Sequence, residues 1–166
     1  MKHLWERLEQ HLISHNPGLS AELNPGTTLE LIRALEIALG QNLTADFVES
    51  LLLHDGQRGC ALPVFYGYRF LSCDEIQQQW KMWTNLLNAG KFKRFKADPQ
   101  TGIQHVWWHP AWVPFAATSE GDCLCLDLAP DAGGVCGQVI GVWHDDEVRE
   151  LIADSFKQLV KSAAGE

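Results

Sequence analysis

The sequence predicts an α+β fold in a single domain covering 1–166, with a mostly antiparallel sheet of about five to six strands packed with helices. Helical periodicity dominates the first half of the chain and returns at its end, whereas short apolar runs separated by turns fill the region from 106 to 143. The chain has 166 residues, of which 46% are hydrophobic, and this is enough to bury one core.

Three helices are expected first. Apolar residues recur at helical spacing over 3–15, and this helix ends at the turn Asn16-Pro17-Gly18. Thr27 and Glu30 have the spacing of a capping box, in which a hydroxyl and a carboxylate satisfy backbone donors at a helix start. A third, short helix begins after Thr44.

The middle of the chain changes character. Two short strands are expected at 61–65 and 68–71, and Ser72 with Glu75 forms a second capping box that opens a fourth helix. Asp145 is expected to cap a last helix. Further strands are placed at 106–108, 113–117, 123–128 and 138–143.

The charge distribution is uneven. The formal net charge is −8, which argues against a protein whose whole surface grips phosphates. The segment 119–154 holds nine carboxylates and a single arginine, Arg149. If these carboxylates share a face, that face would speed association with a basic partner.

Histidines and cysteines offer a competing interpretation as a metal protein or enzyme. His105 and His109 are four residues apart, the spacing of two ligands on a helix. Trp107-Trp108 favours a strand instead, and Pro110 follows directly; on a strand the two histidines would lie about 13 Å apart. Cys123 and Cys125 share one face of a predicted strand, which is typical of buried apolar positions. The five cysteines are scattered, without a C-x-x-C pair, and are expected to be reduced and buried.

Two further motifs have an ordinary structural explanation. His144 beside Asp145 and Asp146 could act as a general base, but the aspartates also suit a helix start. The run Lys91–Lys96 interleaves four cations with two phenylalanines, as in single-strand nucleic acid contacts. One short run in an acidic protein favours instead a long surface loop over 91–104, anchored by the two phenylalanines.

The order of several short motifs resembles the SUKH superfamily, in particular the branch named for the Smi/Knr cell-wall assembly regulators. The resemblance covers nearly the whole chain from Trp5 to the last helix. The matching residues are Trp5, Leu23-Asn24-Pro25-Gly26, Glu36, Leu43, Asp46, Phe47, His54-Asp55-Gly56, Phe70-Leu71-Ser72, Glu75, Ile76, Trp80, Trp112-Val113-Pro114-Phe115, Gly121-Asp122, Leu126-Asp127 and Gly137-Gln138-Val139. A departure is Leu43-Thr44, where the family has Leu-Pro.

This resemblance implies an α+β domain that binds proteins and catalyses nothing. Bacterial relatives of this kind are immunity proteins that neutralise toxins, often nucleases, and fungal relatives regulate cell-wall glucan synthesis. The acidic segment fits a nuclease partner, since a nuclease surface is basic where it meets phosphate.

We therefore expect a non-enzymatic, cytoplasmic immunity protein that binds a basic toxin domain, as a monomer or weak dimer. No cofactor or metal, direct nucleic acid binding or membrane insertion is expected. The expected partner-binding residues are Asp55, Glu120, Asp122, Asp127, Asp131, Asp145 and Asp146. One alternative is a regulatory interaction protein in cell-wall or envelope assembly; a second is a metal-binding protein or enzyme that uses His105, His109 and His144.

Overall fold

The computed structural model describes residues 1–18, 22–59 and 62–166. Within these ranges the helices are α1 (Lys2–His15), α2 (Leu29–Leu39), α3 (Ala45–Leu53), α4 (Cys73–Asn88) and α5 (Phe156–Ala163). The strands are β1 (Arg69–Phe70), β2 (Asp98–Pro99), β3 (Trp112–Ala117), β4 (Cys123–Asp127), β5 (Gln138–Val142) and β6 (Val148–Ala153).

The strands form a single six-stranded sheet in the order β1-β3-β4-β5-β6-β2. Neighbouring strands are antiparallel except for β2, which runs parallel to β6. This confirms the α+β class and the mostly antiparallel sheet. The loops 118–122 and 143–147 lie at the same end of the sheet, because Cys123 at the start of β4 pairs with Val142 at the end of β5. We call this the hairpin end.

The central strands are buried on both faces. Every residue of β3, β4 and β5 is buried, because alternate side chains point to opposite faces and both faces are covered. On one side, Phe156 of α5 contacts Phe115 of β3 and Phe47 of α3 through ring centroids 5.1 and 4.9 Å apart. Continuous apolar strands are therefore the centre of the core.

Several expected helix signals are confirmed. Ser72 accepts a hydrogen bond from Glu75 N at 3.3 Å, and the Glu75 carboxylate accepts one from Ser72 N at 2.8 Å, which completes the capping box of α4. The third helix begins after Thr44 as predicted. The box expected at Thr27 is wrong by one residue, because Thr28 is the cap of α2 and accepts from Leu31 N.

The strand expected at 61–65 is wrong for its described residues, and Ala61 lies outside them. The buried side chain of Gln57 takes the place of a neighbouring strand here. Its Nε2 donates to Leu62 O and its Oε1 accepts from Val64 N, both at 3.2 Å. Only an isolated bridge joins Phe65 to Tyr68.

Two other boundary predictions are also wrong. No strand forms at 106–108, where the carbonyl of Trp107 accepts hydrogen bonds from the Arg149 side chain instead. Asp145 caps no helix, because 148–153 is strand β6 and the last helix begins only after Ser155, whose hydroxyl accepts from Gln158 N. The alternation of apolar residues in 148–160 spans a strand and a helix, and periodicity alone did not separate them.

Candidate functional site

Carboxylates of two loops meet at the hairpin end of the sheet. Glu120 belongs to the loop between β3 and β4, and Asp145, Asp146 and Glu147 belong to the loop between β5 and β6. All four side chains are exposed. We call 118–122 and 143–147 the acidic loops; they are the structural counterpart of the acidic face that the sequence predicted.

Asp122 and His144 form a pair within these loops. The Asp122 carboxylate lies 2.8 Å from His144 Nδ1 and also accepts a hydrogen bond from His144 N at 3.0 Å. The side-chain hydrogen bond between His144 Nδ1 and the accepting Asp122 carboxylate is the main cause of the raised pKa of His144, and the charge of Asp145 adds to it. The pair thereby fastens one acidic loop to the other.

The same pair belongs to the one group in the described part of the chain whose geometry could suit a metal ion. Ligand atoms of Asp122, His144 and Asp145 lie within 4.8 Å of one another. Two of the three residues are exposed, and Asp122 already accepts two hydrogen bonds from His144. The arrangement is explained by loop fastening alone.

Three residues of the expected set do not join the acidic loops. Asp131 lies in the loop between β4 and β5, at the opposite end of the sheet, about 13 Å away along β4. Asp55 accepts a hydrogen bond from Cys73 N at 2.7 Å and so caps the start of α4. Asp127 is fully buried. A partner surface therefore cannot include Asp127.

Asp127 has a structural role in the core. Its carboxylate accepts hydrogen bonds from Gln138 Nε2 at 2.8 Å and from Ala129 N at 3.1 Å. Burial raises the pKa of Asp127, and the hydrogen bonds from Gln138 and Ala129 oppose that rise. Gln138 also donates to Gly102 O at 2.9 Å, so the carboxylate and the amide together join β4 and β5 to the loop before β3.

The histidines of the enzyme alternative are not brought together. His105 is exposed, while Nδ1 of His109 accepts a hydrogen bond from Ala111 N at 3.0 Å, and neither belongs to the group around His144. Burial raises the pKa of Cys123 and of Cys125, so both thiols are protonated at neutral pH. A protonated thiol is a poor nucleophile.

The remaining cysteines differ in their exposure to solvent. Cys73 is buried as expected, but Cys136 is exposed, which corrects the expectation that every thiol is inside. Cys60 lies outside the described residues. The four described cysteines are free thiols.

A groove that the sequence did not predict borders the acidic loops. It lies between the segment 94–96 and the loop residues 144–147, with Trp107 at its base, and we call it the charged groove. Strand β2 places the segment here, since Asp98 N donates to Glu147 O at 2.8 Å. The Lys91–Lys96 run signalled one wall, but nothing in the sequence indicated that a parallel pairing would bring it beside Asp146.

Arg149, the single cation of the acidic segment, is fully buried below this groove. Its guanidinium donates to the backbone carbonyls of Trp107, Asp146 and Val148 and lies 4.6 Å from the centre of the Trp107 ring. Burial lowers the pKa of Arg149 to about 10, so the group stays charged at neutral pH. A buried cation therefore ties the Trp107 loop to the acidic loop.

This architecture is that of an α+β domain with charged loops at one end of its sheet, and its family follows from comparison with known proteins. The model of the SMI1 / KNR4 family (SUKH-1) matches residues 26–162, and the chain belongs to this family.

Curated relatives are similar to the chain over almost its whole length. They include the "Cell wall biosynthesis/cell cycle regulator smi1" of Schizosaccharomyces pombe, 29% identical over 96% of this chain and 34% of the relative. The "Glucan synthesis regulatory protein" of Neurospora crassa is 27% identical over 96% of this chain and 37% of the relative. The "Cell wall assembly regulator SMI1" of Saccharomyces cerevisiae is 25% identical over 98% of this chain and 39% of the relative. The chain thus spans between 34% and 39% of the length of these relatives.

The relatives are named as regulators rather than as enzymes. Their names agree better with the cell-wall regulatory alternative than with toxin immunity. Within the described ranges, no helix combines the length and apolarity needed to cross a bilayer.

Proposed function

We propose that the chain is a non-enzymatic regulatory domain of cell-wall or glucan synthesis that acts in the cytoplasm by binding other proteins. The observation that carries this proposal is the similarity over at least 96% of the chain to proteins named as cell-wall and glucan synthesis regulators. The acidic loops supply a surface through which such binding could be selective for a basic partner.

The surface charge supports protein binding without identifying the partner. Glu120, Asp145, Asp146 and Glu147 are exposed on loops that the Asp122–His144 pair holds together. Exposed like charges on fixed loops raise the association rate of an oppositely charged protein and contribute less to the final affinity. A basic toxin would satisfy the same electrostatics, and the names of the relatives support regulation over toxin immunity.

Affinity capture tests the proposal. The tagged chain is incubated with lysate of its source cells, washed at low and then high salt, and the retained proteins are identified by mass spectrometry. We expect proteins of cell-wall or glucan synthesis that salt releases. Retention of a toxin domain instead, or of no protein at all, would contradict the proposal.

A matched pair of variants tests the surface. One variant neutralises the acidic loops through Glu120→Gln, Asp145→Asn, Asp146→Asn and Glu147→Gln. The control removes the same charge from exposed carboxylates elsewhere, through Glu6→Gln, Glu30→Gln, Asp131→Asn and Asp154→Asn. The first variant should associate more slowly with the captured partner protein, and the salt dependence of that association should weaken; the control should behave like the wild type. Equal effects of the two variants would show that only the net charge of the chain matters.

A further inference from the structure

The charged groove has opposite charges on its two walls. Arg94 and Lys96 line one wall, and Asp145, Asp146 and Glu147 line the other. Among the described residues, none of these five side chains forms an ion pair within 4.0 Å across the groove; Asp145 approaches only its neighbour His144. Among the described residues, the cations of Arg94 and Lys96 and the carboxylates of Asp146 and Glu147 are therefore in no ion pair and face whatever enters the groove.

Its base is aromatic and partly open to solvent. The Phe95 ring stacks on Trp107 with centroids 4.7 Å apart and planes 28° from parallel. Arg149 lies against the Trp107 ring as well, so a buried cation, a buried indole and an outer phenyl ring form a stack. Phe95 remains 53% exposed, which leaves an apolar contact area between the two charged walls.

The groove is held in shape by the backbone. Arg149 donates to Trp107 O at 2.8 Å and to Asp146 O at 2.7 Å, which fixes the base to one wall. The pairing of Asp98 N with Glu147 O fixes the other wall. A site formed in advance requires little ordering when a ligand binds.

We propose that the charged groove binds an extended peptide segment of a protein partner in which an aromatic or long aliphatic side chain is flanked by an acidic residue on one side and a basic residue on the other. The apolar side chain packs on Phe95, the acidic residue faces Arg94 and Lys96, and the basic residue faces Asp146 and Glu147. The volume of the groove, about 760 Å³, is within the range of ligand sites and suits a few residues of peptide.

The charges decide against nucleic acid at the same place. A single strand could stack on Phe95 and pair its phosphates with Lys96, but its next phosphates would then face the wall of Asp145, Asp146 and Glu147. A peptide of mixed charge meets no such repulsion. This inference rests on the proposed function, since it names the kind of segment through which the domain would recognise its partner.

A random-peptide library displayed on phage provides the probe. Peptides are selected on the wild-type chain, and their affinity is then measured for Phe95→Ala and for the control Ile37→Ala. The control removes an apolar side chain that is 82% exposed on α2. We expect enriched peptides with the acidic–apolar–basic pattern that lose about tenfold or more in affinity on Phe95→Ala and keep it on Ile37→Ala.

A charge swap separates recognition from a structural effect. Lys96→Glu should lose the enriched peptides and recover binding when their acidic residue is replaced by lysine. Three results would overturn the proposal. The selection enriches no peptide, Phe95→Ala binds the enriched peptides as tightly as the wild type does, or oligothymidylate binds the chain in a way that depends on Phe95. If lysate partners are then still captured by the Phe95→Ala variant, the protein-binding function stands and only the groove is wrong.

Discussion

Replacing Arg149 with methionine tests whether the buried cation holds the structure together. Methionine has a similar length but no hydrogen-bond donor, so the carbonyl of Val148 would lose one hydrogen bond, and the carbonyls of Trp107 and Asp146 would lose their partner. Both carbonyls lie outside the strands, and no other backbone donor among the described residues is assigned to them. In this protein the acceptors of the cation are backbone groups, which no second substitution can remove.

The expected loss is large. A hydrogen bond to a charged group contributes about 1.5–3 kcal/mol net, so two lost carbonyl partners amount to about 3–6 kcal/mol. Removing a buried charge from the core returns part of this amount. We therefore expect Arg149→Met to lower the free energy of unfolding by about 3 kcal/mol, a large share of the stability of a typical domain.

Urea unfolding followed by circular dichroism measures this difference. The control is Arg94→Met, the same substitution at an exposed arginine, which should change the free energy of unfolding by less than about 0.5 kcal/mol. If Arg149→Met unfolds at the wild-type midpoint with the same slope, the carbonyls are satisfied without the guanidinium and the reasoning is refuted.

Four further outcomes are expected. Asp127→Asn should lower the free energy of unfolding by about 1–3 kcal/mol at pH 7, because the new amide group places donors against donors. Burial raises the native pKa of Asp127 above its unfolded value, so the wild type gains stability as the pH falls from the native pKa towards the unfolded pKa. The variant lacks this gain, so the difference in free energy of unfolding between variant and wild type should grow. A constant difference in urea unfolding from pH 7 to pH 4 would contradict this. Ser72→Ala should cost about 1 kcal/mol in the same assay, through loss of the capping box, and a change below a few tenths would show that α4 needs no cap. In an NMR titration, Asp122→Asn should lower the raised pKa of His144, whose stabilising contribution is present at low pH and lost as the pH rises through that pKa. Dialysis against EDTA should leave the melting temperature unchanged, and a clear fall would restore the metal-protein alternative.

The sequence was sufficient for most helices and for the central strands. Local signals act there: the Ser72 capping box starts α4, and Gly40 ends α2 in a left-handed conformation with φ of 66°. Strands β3, β4 and β5 appear as apolar runs because both faces are covered. Each of these features is set by residues close together in the chain.

The features that were missed depend on side-chain contacts with backbone groups, which leave no periodic pattern in the sequence. Gln57 replaces a strand at 62–65, and Arg149 binds a carbonyl 42 residues away, at Trp107. Neither contact has a local pattern. The count of charges in 119–154 was correct, but it could not show which carboxylates share a surface. Asp127 is buried, and Asp131 lies at the opposite end of the sheet from the acidic loops.

The fold and the charged groove depend on the same residue. Arg149 is buried like a core side chain, yet its donors end on Trp107 and Asp146, which line the groove. A loss of stability at Arg149 therefore also loosens the groove, and a ligand must then pay for ordering it, which reduces the apparent affinity by the fraction of molecules still competent to bind. Substitutions of Phe95 or Lys96 change recognition at an exposed surface without removing this frame. Substitutions at the exposed positions of the charged groove can therefore change which peptide it binds, while the buried Arg149 preserves the shape of the groove.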